Sequence, residues 1–115
     1  MEKILRFAQK AARAADEKKA EEITILDLRN ISTLTDCFVI CSVSNIRQAR
    51  AITQEIQEKM AKSGLKLDHM EGYPDSNWIL MDYTDLVIHI FTKETRKYYD
   101  LEHLWGDAPR VELNE

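Results

Sequence analysis

The sequence predicts an α/β (α+β) fold, a single domain over residues 1–115 with a mixed five-stranded sheet packed by helices. Three observations predict it. Glu2 to Ala15, and the stretch that follows Ser44, carry apolar residues at helical intervals. Short aliphatic and β-branched runs bounded by polar turns lie between and after these segments. The order of the two kinds of segment, α-β-β-α-β-β-β-α, brings strands and helices into one layered unit.

The first helix owes its stripe to Ile4, Leu5, Ala8, Ala11, Ala12 and Ala15, with Lys3, Arg6, Lys10 and Arg13 around it. "DEKKAEE" is a charged connection to the strand Ile23 to Leu28. The polar "RNISTLTD" leads into "CFVICSV", a strand apolar on both faces and so expected near the sheet centre. Ser44 or Asn45 can cap the second helix, which carries Ala49, Ile52, Ile56 and Met60 along one side and stops at Gly64. "LKLDHMEGY" reads as a strand broken at Gly72. A hairpin follows over Asn77 to Phe91, and "TKETRKYYDLEHLWGDAP" reads as one or two short helices ending at Gly106.

Composition narrows the function. The chain has 115 residues, 44% hydrophobic and 31% charged, with a net charge of −4. No apolar run approaches the ~18 residues of a membrane span, and the first residues lack the continuous apolar centre of a signal peptide. A cytoplasmic location is expected. Sixteen basic residues face twenty acidic ones without a basic run, so little direct contact with nucleic acid is expected and a basic protein surface is the better electrostatic match. Cys37 and Cys41 point to one face of a strand roughly 13 Å apart, too far to pair with each other.

"NWILMDYTDLVIHIF" is the most informative passage. With Tyr83 and Thr84 as the two turn residues, Asp82 faces Asp85, Leu80 faces Val87, and Trp78 faces His89. Alternation then puts Ile79, Met81, Leu86, Ile88 and Ile90 on one aliphatic face, expected to be core. Trp78, Leu80, Asp82, Asp85, Val87, His89 and Phe91 share the other, an aromatic anchor among aliphatic and acidic residues, which is how a protein-binding patch is composed. Catalytic or metal-binding use of Asp82, Asp85 and His89 is the weaker reading, because carboxylates beside a turn are ordinarily solvated. His69, His89 and His103 are scattered and pair with no nucleophile. Gly64, Gly72 and Gly106 form no phosphate-cradling loop, and the 42–47 turn offers only a weak anion signal. No catalytic residue, metal or cofactor is expected. A nucleotide-dependent enzyme using the 42–47 turn with Asp82 and Asp85 is the alternative.

Several stretches together carry a resemblance: "ADEKKAEEITILDLRNISTLTDCFVICS", "RQARAI", "MEGY", "WILMDYTDLVIHIF" and "RKYYDLEHLWGDA". In this order, across nearly the whole chain, they resemble the ribosomal silencing factor family, also called RsfS or Iojap-like. The resemblance implies a nucleotidyltransferase-like topology whose signature, a Gly-Ser turn with two acids one residue apart on a strand, is absent here. It further implies a translational repressor that binds ribosomal protein fourteen of the large ribosomal subunit and blocks joining of the small subunit when nutrients are short. By the same resemblance the contact residues are Trp78, Asp82 and Tyr83 with neighbours Leu80 and Tyr98, and members can self-associate as homodimers. The chain departs from the family at Val43 and at Thr84, where glycine is common. Threonine at the turn implies a changed geometry there, since β-branched residues disfavour positive φ.

Overall fold

A computed structural model describes residues 2–112. The chain runs α1 (Glu2–Glu17), β1 (Glu21–Asp27), β2 (Cys37–Val43), α2 (Ile46–Lys62), β3 (His69–Glu71), β4 (Trp78–Asp82), β5 (Leu86–Thr92), α3 (Lys93–Tyr99), α4 (Leu101–Leu104) and β6 (Arg110–Val111). The strands form a single mixed sheet in the order β3-β4-β5-β2-β1-β6. Among the described residues it has six strands, not five. The sixth is a two-residue edge strand paired with Ile25 and Leu26 of β1, in a tail where two residues show no periodicity to read. β2 lies inside the sheet, parallel to β5 and antiparallel to β1, as its all-round apolar sequence requires.

Helices α1 and α2 cover one side of the sheet. Small residues let α1 approach closely: Ala8, Ala11, Ala12, Ala14 and Ala15 are fully buried. Helix α2 starts at Asn45, whose side chain accepts the Gln48 N–H at 2.8 Å. It ends at Gly64, where φ is +86° and the Leu65 N–H returns to the Met60 carbonyl. Beneath the helices lie Ile79, Met81, Leu86, Ile88 and Ile90 with Cys37, Val39 and Cys41, all fully buried. Both thiols are free, and burial pushes each up to about 12.

The β4–β5 register differs from the sequence expectation by two residues. Trp78 pairs with Phe91, Leu80 with His89, and Asp82 with Val87. The Tyr83 N–H donates to Leu86, and the Asp85 N–H donates to the Tyr83 carbonyl, so the chain reverses around Thr84. Thr84 has φ +76°, the conformation its β-branch disfavours, so the turn keeps the positive φ that a glycine would take with less strain. The Asp82 carboxylate holds it there by accepting the Thr84 N–H at 2.7 Å. Thr84→Gly is expected to raise stability by roughly 1 kcal/mol, a melting-temperature gain of several degrees in a thermal scan.

An even-numbered shift preserves alternation, so the two hairpin faces are those the sequence predicts. Tyr83 is the exception. Its place in the chain continues the face of Ile79 and Met81, and it is only 4% exposed, packed in the core on the helix side. It does not stand at the rim of the mixed face.

The connection from β3 to β4 presses on Trp78. A Cβ on Gly72, whose φ is +80°, would come within 1.9 Å of the Trp78 carbonyl oxygen. Arg50 of α2 ties this connection down through the Ser76 hydroxyl and the Pro74 carbonyl, each at 2.8 Å.

Candidate protein-binding face

The side of the sheet away from α1 and α2 is covered at one end and open at the other. Leu26, Leu28, Ile40, Phe91 and Ala108 form a second small core, against which Leu101 and Trp105 pack. What holds the α3–α4 segment there is Arg96, 7% exposed. Its guanidinium meets both Glu102 carboxylate oxygens (3.0 and 2.6 Å), the Glu22 carbonyl (2.6 Å), the Ser42 hydroxyl (2.9 Å) and the Thr24 hydroxyl (3.2 Å). That uses all the donors an arginine has. Arg96 in turn holds the Glu102 carboxyl below the usual carboxylate range.

A row of rings runs from this small core out to the open end. Trp105 meets Phe38 (5.9 Å between centroids), and Phe38 meets His89 edge-on (4.5 Å). His89 lies 5.9 Å from Trp78, which packs on Phe91 (4.9 Å) and Tyr99 (4.6 Å). Tyr98 ends the row, 5.1 Å from Tyr99 and 82% exposed. Trp78 is half-buried, and its indole N–H donates to His89 Nδ1 at 3.0 Å. His89 is 3% exposed, and burial pulls its pKa down to about 3, so it remains neutral through the physiological range. It is a structural partner of Trp78, held across the diagonal of the ladder.

Two grooves flank Trp78. One is lined by Gly72, Asn77, Trp78, Thr95, Tyr98 and Tyr99. The other lies between the β1–β2 loop and the hairpin and includes Leu34, Phe38, Leu80, Asp82 and Trp105. Leu80 and Asp82 are half-buried on this face. Four of the expected contact residues, Trp78, Leu80, Asp82 and Tyr98, therefore share one continuous surface, and Tyr83 lies on the far side of the sheet.

The edge of that surface is acidic. His69 of β3, opposite Asp82 in the ladder, lies between carboxylates: Asp68 at 3.4 Å, Glu71 at 3.0 Å and Asp82 at 3.5 Å. Asp68 and Glu71 raise its pKa above the ordinary imidazole value. Donor atoms of Asp68, His69 and Asp82 lie within 4.8 Å of one another, but Asp68 and His69 are exposed and the imidazole already faces acids on both ring nitrogens. This arrangement serves a cationic partner group better than a resident metal.

The alternative nucleotide site does not assemble. β2 and β5 are parallel, with Val43 beside Thr92 and Cys37 beside Leu86. The 42–47 turn thus lies at the opposite end of the strands from Asp82 and Asp85, roughly 20 Å away at the rise of a strand.

Fold and surface together define a small α+β domain with an aromatic face edged by acids. The sequence model of the family described as "Ribosomal silencing factor during starvation" matches residues 1–115. A Bacillus subtilis protein named ribosomal silencing factor RsfS is 43% identical over 104 residues, 90% of this chain and 88% of that protein. The chloroplastic protein Iojap of Zea mays is 35% identical over 95% of this chain and 47% of its own length. Among solved structures, a Bacillus halodurans protein superposes with a TM-score of 0.82 at 37% identity, covering 98% of this chain and 100% of that one. A Chromobacterium violaceum protein gives 0.87 at 29% identity, covering 90% and 86%. The chain belongs to the ribosomal silencing factor family.

Proposed function

We propose that this chain is a translational silencer of the cytoplasm that acts by occupying space. Its aromatic face docks on ribosomal protein fourteen of the large subunit, and the bound domain keeps the small subunit from joining. The observation that carries the reading is the unbroken surface from Leu80 and Asp82 through Trp78 to Tyr98, apolar along its middle and acidic along its edge. Such a surface suits a basic protein, with aromatic rings filling apolar contacts and carboxylates pairing with lysine or arginine. Membership in the silencing family supports a ribosomal target, and its relatives are named for silencing rather than for a reaction.

Co-sedimentation with purified large subunits tests this. The wild type is expected to travel with large subunits and to reduce the yield of joined ribosomes when small subunits are added. Tyr98→Ala should weaken binding several-fold while leaving the melting temperature unchanged, since its side chain is mostly in solvent. Wild-type protein that stays in the supernatant would refute the reading. Self-association through the same face would make a homodimer that competes with the ribosome, and light scattering of the wild type against Tyr98→Ala measures that competition.

Binding should also depend on pH. His69 protonates as pH falls through its raised pKa, and the added positive charge opposes a cationic partner at Asp82. Affinity is therefore expected to be greater at pH 8 than at pH 6 (about twofold to fivefold), with His69→Gln flattening the profile in an isothermal titration.

A further inference from the structure

One wall of the groove between Trp78 and α3 belongs to no strand or helix. It is the connection from β3 to β4, which places Gly72, Asp75 and Asn77 opposite Thr95, Tyr98 and Tyr99. Of residues 72–77 only Ser76 is fully buried. Two of them hold left-handed backbone, Gly72 at φ +80° and Ser76 at φ +60°. For a residue with a side chain that conformation persists only while its surroundings hold it. The Gly72 carbonyl accepts the Ser76 N–H at 2.8 Å, which closes the segment into one turn. This turn lies against the first peptide of β4, with no room for a Cβ between Gly72 and the Trp78 carbonyl. Its placement therefore sets the width of the groove beside Trp78.

What holds the turn is Arg50, which reaches it from α2 on the opposite side of the sheet. Nε donates to the Ser76 hydroxyl and Nη2 to the Pro74 carbonyl, each at 2.8 Å. The guanidinium carbon also lies 5.5 Å from the centre of the Tyr73 ring. Ser76 extends the tie by donating its hydroxyl hydrogen to the Tyr73 carbonyl. Among the described residues Arg50 meets no carboxylate, and every group it touches belongs to residues 73–76. A planar fork that spans two acceptors and covers a ring is a geometry that lysine does not reproduce. Helix α2 is a firm base for it, since Ala49, Ile52 and Ile56 are fully buried.

We propose that Arg50 is a positioning residue for the ribosomal partner. It does not touch that partner. It holds the 72–77 turn, and with it the groove between the turn and α3, in the conformation that binds. Without the tie the turn opens locally, the binding-competent fraction falls, and apparent affinity falls with that fraction. The inference rests on the ribosomal reading and deepens it, because a residue on the helix side governs the face on the other side of the sheet.

The test uses the full chain with large subunits and reads binding beside amide hydrogen exchange. Arg50→Lys and Ser76→Ala are each expected to weaken binding about fivefold or more, the measure of the lost competent fraction. The amides of position 76 and of Thr92, whose acceptors are the Gly72 and Asn77 carbonyls, should exchange faster, while the amides of β2 and β5 keep their wild-type rates. A chain carrying both changes should lose no more affinity than the weaker-binding single variant, because both break one tie. Arg50→Lys decides the matter if Ser76→Ala folds poorly. Wild-type affinity in Arg50→Lys overturns the proposal, and so does unchanged exchange at position 76. An affinity loss matched by faster exchange throughout β2 and β5 also overturns it, since that marks general destabilisation. Failure of the wild type to bind overturns the ribosomal reading, and this inference with it.

Discussion

Trp78→Ala is expected to weaken binding to the large subunit by roughly thirtyfold or more, equivalent to a loss of about 2 kcal/mol at a central aromatic anchor. The same substitution should lower stability. Trp78 packs on Phe91 and Tyr99 and donates to His89 Nδ1. Truncation removes these contacts and leaves a buried imidazole nitrogen without its donor. For a half-buried tryptophan the cost is about 2 kcal/mol, less than the ~3–5 kcal/mol of a fully buried aromatic. Trp78→Phe keeps an aromatic ring beside Phe91 and Tyr99 but loses the N–H and part of the indole area, so both losses should be smaller than for Trp78→Ala. Subunit co-sedimentation beside urea denaturation measures both. Wild-type binding by a folded Trp78→Ala protein would remove Trp78 from the interface.

Arg96→Met is expected to destabilise the domain by about 3 kcal/mol, at the lower end for breaking a buried ion pair, because Glu102 is partly accessible. The loss has a clear origin. Without the guanidinium, the Glu102 carboxylate, the Glu22 carbonyl and the hydroxyls of Thr24 and Ser42 lose a shared donor. Segment α3–α4 would then release from the sheet, taking Tyr98, Tyr99 and Trp105 out of position. Binding should fall with stability, although Arg96 itself is buried away from a partner. The pH dependence has a definite sign. Glu102 has a depressed pKa in the folded state, so its contribution is present above the unfolded carboxylate range and is lost as pH falls through the folded pKa. Glu102→Gln should accordingly reduce stability near pH 7 and make the acid limb of the stability curve shallower. Equal melting temperatures for wild type and Arg96→Met would refute this account.

Much of this architecture follows from local sequence pattern. Period-two alternation alone separates the aliphatic and mixed faces of the hairpin, and it does so even with the register displaced, because a shift of two residues returns every side chain to its own face. Helical spacing likewise identifies the buried stripes of α1 and α2, whose contacts with the sheet are set by which residues are small and apolar. The all-round apolar sequence of β2 marks it as interior. These patterns are legible because each reflects a repeat along the chain that solvent exclusion acts on directly.

Tertiary structure decided the rest. Tyr83 looks like a turn residue in sequence, yet the chain reverses one residue later, around a strained Thr84, and the tyrosine continues the core face. Arg96 looks like any charge in "ETRKYY", and only the return of α4 brings Glu102 to it from six residues away. The groove beside His89 draws its walls from the β1–β2 loop, β2, β3, the hairpin and Trp105, which are distant in the chain and share no motif. A face can be read from sequence because one strand repeats it. A groove or a buried ion pair cannot, because its energy comes from groups that meet only when the sheet and its covering segment have formed.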